Sequence, residues 1–188
     1  MQQKFEKAIV EQCAPTLAGI KPASLFRVSG KDLAALRQTA GEWDRLLSPL
    51  GLRVLVLKEC PQTNAGMIYL YRESWLKRIL EDRQHRRFLR SLGYTLRSLE
   101  DVFSQLSGRF CLEREYPHEI GVFLGYPFAD VIGFIENRGR NFTCCGYWKS
   151  YGDPEAAEQC FARYRSCTAQ YKQLYGSGTP IIQLVVAA

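Results

Sequence analysis

Apolar side chains recur along this chain at two spacings, which sort it into helices and strands. Leu33, Leu36, Ala40, Trp43 and Leu47 follow one another at intervals of three or four, the repeat that lines one face of an α-helix. Ser29 with Asp32 resembles a capping box, with Asp where Glu or Gln is usual, and Ser48-Pro49 stops the helix. Phe5, Ala8 and Ile9 predict a helix over 3–12, after which Pro15 and Gly19 break the pattern before an extended piece at 25–28. Ser98 and Asp101 open a helix that turns Leu99, Val102, Phe103 and Leu106 inward and stops at Gly108. Pro127 opens another, carrying Phe128, Val131, Ile132 and Ile135 and closed by Gly139. Asp153-Pro154 starts the strongest, running to about Tyr175 with Gly176 as its cap.

The strand pattern is clearest at 53–57 (RVLVL) and 67–71 (MIYLY), joined through Pro61, Asn64 and Gly66. A connection so short favours an antiparallel pair. IGVFL at 120–124 reads as a buried strand, although a run of this length also fits a helix, and IIQLVV after Pro180 reads as a final strand. No repeat, low-complexity tract or flexible linker divides residues 1–188. The expectation is a single α+β domain, a hairpin-containing sheet packed by several helices, with a mixed α/β arrangement as the alternative.

The stretch 74–92 departs from a simple amphipathic helix. Leu76, Ile79 and Leu80 point one way, while Phe88, Leu89 and Leu92 fall on another side of the same wheel. A break at Asp82, acting as N-cap of a second helix, resolves the conflict. At about 100° per residue, Arg83, Arg86, Arg87 and Arg90 then share a face about 100° wide, with His85 among the apolar residues opposite. From Arg72 to Arg97 there are eight basic and three acidic residues, so this stretch carries +5 of the chain's net +6. Outside it the protein is close to neutral, unlike a globally basic nucleic-acid coat. The arginine face is a solvated surface, a clamp for phosphates or an acidic partner, or a nucleic-acid contact. It lacks the interleaved exposed aromatics on which single strands stack, which makes nucleic acid the weakest of these.

At 188 residues and 46% hydrophobic, the chain is neither disordered nor collagen-like, and it needs no disulfide framework. Seven cysteines, no continuous apolar leader and no stretch approaching the ~20 apolar residues of a membrane span point to a reduced, cytoplasmic protein without membrane partners. Cys160 and Cys167 lie ~10.5 Å apart along one helix, too far for one tetrahedral metal, and fall on a core-like stripe with Tyr164, Tyr171 and Leu174. The vicinal Cys144-Cys145, in a loop before a strand, is the pair best suited to redox chemistry or a soft metal. No CxxC, HExxH, GxSxG, GxxxxGK[ST] or GxGxxG pattern occurs, and no cofactor is expected. Of the two histidines, His118 stands at the mouth of the 120–124 run. It could activate a thiol at Cys13, Cys60 or Cys111, with Glu119 orienting the imidazole. The bland reading is a histidine bonded to a loop carbonyl.

Three segments, CAPTLAGIKP at 13–22, PHEIGVFLGYP at 117–127 and CGYWKSY at 145–151, resemble a family of uncharacterised bacterial proteins, a domain of unknown function. With 133–139 the resemblance spans nearly the whole chain, and it implies no established activity, cofactor or catalytic residue. It does direct attention to Cys13, Lys21, His118, Glu119, Tyr147, Trp148 and Lys149, on predicted loops and strand ends. The preferred expectation is a binding domain for a small anionic ligand or a protein partner. The alternatives are a thiol-dependent enzyme built on His118 and nucleic-acid binding through the four arginines.

Overall fold

The computed structural model describes residues 1–110 and 117–187. Its first half lays out α1 (Gln2–Leu17), β1 (Ala23–Ser29), α2 (Leu33–Leu47), β2 (Leu52–Cys60) and β3 (Ala65–Arg72). Then come α3 (Glu73–Glu81), α4 (Arg83–Ser91), α5 (Leu99–Arg109), α6 (Ile120–Phe123) and α7 (Phe128–Glu136). A two-residue ladder, β4 (Cys144–Cys145) with β5 (Lys149–Ser150), precedes α8 (Pro154–Gly176). The fold is α+β.

The expected hairpin is antiparallel, and β1 joins its far side, so the sheet order is β1-β3-β2. Every residue of the central strand β3 is buried, and the twofold alternation of a strand divides them between two cores. Ile68 and Leu70 face a layer made by α1, α2 and the end of α8, with Phe5, Ile9, Leu36, Trp43 and Tyr171. Met67, Tyr69 and Tyr71 face the opposite layer, with Leu76, Leu89, Phe103, Leu106, Val122 and Phe123. The sheet is therefore a filling between two helical layers; Leu55 and Leu57 of β2 face the second, and a bulge follows between Val56 and Lys58.

Arg72, 1% exposed at the end of β3, ties the sheet to the first helical layer. Its guanidinium donates to the carbonyls of Thr16 and Leu17 at the end of α1, both at 2.8 Å, and to Val186 at 2.7 Å. No carboxylate among the described residues pairs with it. The negative end of the α1 dipole and three carbonyls take that role instead.

Several boundaries differ from those expected. α1 runs through Pro15 to Leu17, because a proline in the last turn removes a single intrahelical bond, and the Ile20 and Lys21 amides then donate to its carbonyl. Ser29 ends β1, and Asp32 alone caps α2, accepting from the Ala35 amide at 2.7 Å. Gly108 lies inside α5, which ends one residue later. IGVFL is a helical turn, not a strand: it buries Gly121, Val122 and Phe123 consecutively, where a strand face would bury alternate residues. IIQLVV forms no strand either. Ile181–Leu184 is a 3-10 turn whose threefold repeat buries both Ile181 and Leu184, and the Val186 amide then donates to the Leu17 carbonyl. The break at Asp82 is present, its carboxylate accepting from the Gln84 and His85 amides.

Candidate functional site

The second helical layer ends in a cavity of about 160 Å³ between α6, α7 and β5. Its lining includes Pro117, His118, Tyr126, Phe134, Trp148 and Lys149. Local backbone choices make the close packing possible. Gly125 holds φ +70° between α6 and α7, and a Cβ there would lie 2.0 Å from the Pro22 ring. Only glycine meets both conditions. Through it the Lys21-Pro22 segment sits directly against Gly125-Tyr126.

Tyr126 is the junction of the site. Its hydroxyl donates to the Tyr147 carbonyl at 3.0 Å, and its ring stacks on Trp148 with centroids 5.1 Å apart. The Lys21 ammonium stands 5.5 Å from its ring centroid. Burial pushes the Tyr126 phenol up to about 12. Trp148 is gripped in turn by Phe161 of α8, edge-on at 4.5 Å. The segments 13–22, 117–127, 133–139 and 145–151 are thus brought to one region of the molecule.

Beneath the rings lies Asp130 of α7, 5% exposed. Its carboxylate accepts from Trp148 Nε1 at 2.7 Å, the Tyr151 amide at 2.7 Å and the Ser150 hydroxyl at 3.2 Å. A buried carboxylate is tolerated where such donors replace its water. It locks the β4–β5 ladder onto α7 and fixes the Trp148 ring. Lys149 Nζ donates to the Gly139 carbonyl at 2.8 Å and lies 4.9 Å from the Phe142 ring centroid and 5.8 Å from that of Phe134. An ammonium has three donors, so this arrangement leaves Lys149 able to meet a ligand. His118 is exposed at the cavity edge, its ring edge-on to Phe134 at 5.0 Å.

Among the described residues, Glu119 does not orient His118, and no bond joins His118 to Cys13 or Cys60. Glu119 is buried, but its carboxylate accepts from the Tyr94 hydroxyl at 3.0 Å and faces Arg109 at 3.5 Å, leaving no bond to His118. Burial and this carboxylate both raise the Tyr94 phenol. Cys13 is completely buried in α1, and burial pushes its thiol up to about 12, the reverse of what a nucleophile needs. Cys60 closes β2, with its thiol donating to the Gln62 side-chain oxygen Oε1 at 3.3 Å and held below its ordinary value first by the Thr63 hydroxyl. Cys111 lies outside the described residues.

Lys21 is 7% exposed and neighbours the thiols of Cys13 and Cys160, and burial pushes its amine down to about 8. Tyr147 packs edge-on against Tyr164 at 5.1 Å. Cys144 and Cys145 stand on β4 rather than in a loop, so their side chains alternate across the strand, and the Cys144 sulfur lies 3.9 Å from Glu158. Cys160 and Cys167 are half-buried, while Leu174 of their stripe is exposed. Among the described residues, no group of three or more His, Cys, Asp or Glu is placed to hold a metal ion. Arg83, Arg87 and Arg90 project from α4 into solvent, and Arg86 donates to the Leu80 carbonyl at 3.2 Å.

Sequence reasoning missed Asp130 and Phe134. A lone carboxylate three residues into a helix looks like an ordinary favourable charge in the first turn. Only the fold shows that Trp148 and Ser150 return to meet it.

These features define an α+β protein in which two helical layers enclose a three-stranded antiparallel sheet, with an aromatic-walled pocket at one end. The chain belongs to the DUF3793 family, described as proteins of unknown function, whose model matches residues 9–185. Neither the curated proteins nor the solved structures include a match. No helix of the described residues is long and apolar enough to cross a membrane.

Proposed function

We propose that the protein binds a small anionic ligand carrying one aromatic ring or an apolar group of that size, in the cavity beside Trp148. The observation that carries this reading is the pairing of aromatic walls with a cationic rim. Tyr126, Phe134 and Trp148 line a volume of about 160 Å³, close to the ~150 Å³ in which an apolar cavity holds benzene. Lys149 supplies the positive group for a carboxylate or phosphate, and the His118 ring adds a hydrogen-bonding nitrogen at the rim. Asp130 also lines the cavity, and its carboxylate, held by three neutral donors, stiffens the wall. Six described cysteines carry free thiols, which fits work in a reducing cytoplasm.

Thermal melts with benzoate and phenyl phosphate, beside their neutral relatives benzamide and benzyl alcohol, test the proposal. The anions are expected to raise Tm, because a ligand at one hundred times its Kd stabilises by ~2.7 kcal/mol. Lys149→Gln should remove most of that rise without lowering the melting point of the free protein. Stabilisation by the neutral compounds equal to that by the anions, or no shift with any of them, would refute it.

A further inference from the structure

A second cavity, of about 260 Å³, opens between α3, α4 and the start of α5 and shares no lining residue with the Trp148 pocket. Its apolar lining includes Leu80, 7% exposed, and Val102, 2% exposed. Lys77, Arg86 and Arg97 also line it, opposed by Glu81 alone. Arg86 belongs to the arginine face of α4, and its guanidinium reaches the Leu80 carbonyl at 3.2 Å. The cavity therefore continues directly into the row of Arg83, Arg87 and Arg90.

Of these cations Lys77 is taken up by Glu73 at 2.6 Å, whereas the arginines are not. Arg37, Arg53 and Arg165 all meet carboxylates, whereas among the described residues no acidic side chain pairs with Arg83, Arg87, Arg90 or Arg97. Like charges gathered on one short helix repel one another, and an external anion relieves that repulsion. The apolar hole decides between kinds of anion. A phosphate backbone has nothing to place in it, and among the described residues the exposed large apolar side chains are Met1, Leu46, Phe142, Leu174 and Val186. None of them is on α4, so no stacking platform for bases lies beside the arginines. A polypeptide with carboxylates around one apolar side chain matches both parts of the surface.

We infer that α4 and the cavity beside it form a docking surface for an acidic segment of a partner protein, with one apolar side chain of that segment seated between Leu80 and Val102. Arg83, Arg87 and Arg90 take the flanking carboxylates, and Arg86 and Arg97 close over the anchor.

Fluorescence anisotropy on the full chain tests this with three fluorescein-labelled probes: a peptide of Glu, Asp and Ser with a single central Phe, the same peptide with Ser for that Phe, and an oligo-dT of matched charge. The Phe peptide is expected to bind most tightly, and loss of its ring should weaken binding about tenfold or more. Added salt should weaken it further. The triple variant Arg83→Glu, Arg87→Glu, Arg90→Glu should abolish binding while keeping the wild-type melting temperature. Arg97→Ala should weaken the Phe peptide more than the Ser peptide. No binding of the Phe peptide, equal binding of the two peptides, or tighter binding of oligo-dT would each overturn the inference.

Discussion

Replacing Lys21 with methionine should stabilise this protein, and the gain should depend on pH. Lys21 is 7% exposed, and its neighbours are thiols and a tyrosine ring rather than carboxylates. Burial moves its amine from 10.5 to about 8, a difference that corresponds to about 3 kcal/mol of folding free energy below pH 8. Between pH 8 and 10.5 the unfolded chain holds a proton that the folded protein has released, so this cost fades as pH rises and is gone above 10.5. Methionine keeps an apolar stem of similar length and has no charge to desolvate. The lost contact with Tyr126 returns ~0.5–2 kcal/mol, so the net gain at pH 7 should be about 2 kcal/mol. At ~2–4 °C per kcal/mol for a chain of this size, that is ~4–8 °C in Tm. Cys13, pushed up to about 12 from 9.0, destabilises the fold above pH 9 in both proteins and largely cancels in the difference. Urea unfolding of wild type and Lys21→Met at pH 6.5, 7.5, 8.5 and 9.5 gives the comparison. A variant no more stable than wild type at pH 7, or a gain that does not shrink toward pH 9.5, would show that the amine is not held at a cost.

Arg72→Met should destabilise by about 2 kcal/mol or more, because three carbonyls lose a charged donor and those of Thr16 and Leu17 keep only one backbone amide each; urea midpoints measure this, and a loss under about 1 kcal/mol would contradict the clamp. Asp130→Asn replaces an acceptor of three hydrogen bonds with a group that is half donor. It should cost about 2 kcal/mol and shift Trp148 emission to the red, with an unchanged spectrum counting against the role given to Asp130. Iodoacetamide at pH 8 should modify exposed Cys145 quickly and leave buried Cys13 untouched in the folded protein, as peptide mass mapping would show.

The local signals for helix and turn identify the elements well where one short segment contains the whole cause. Asp82 caps α4, Ser98 caps α5 and Asp153-Pro154 opens α8, each through a side chain acting on amides two or three residues away. The arginine face is legible for the same reason, since helical spacing alone aligns its four residues. IGVFL and IIQLVV are helical turns where their sequence suggests strands, because an apolar run carries no period of its own. Which neighbours it meets decides its form: α6 packs against α7, and Ile181–Leu184 against the end of α1.

The candidate pocket follows the same division. Motif segments marked Lys21, His118, Trp148 and Lys149 as worth watching, but nothing local says that Gly125 rests on Pro22 or that Asp130 receives the Trp148 indole. It likewise says nothing of Glu119 turning to Tyr94 and Arg109 instead of His118. From the amino-acid order alone come the α+β class, the positions of most helices and the place where positive charge collects. Those depend on interactions among residues a few positions apart. The partners of the buried charges Lys21, Arg72, Glu119 and Asp130 depend on distant chain segments, 114 residues away in the case of Arg72 and Val186. Desolvation makes each such contact decisive, and only the packed layers bring those segments within reach.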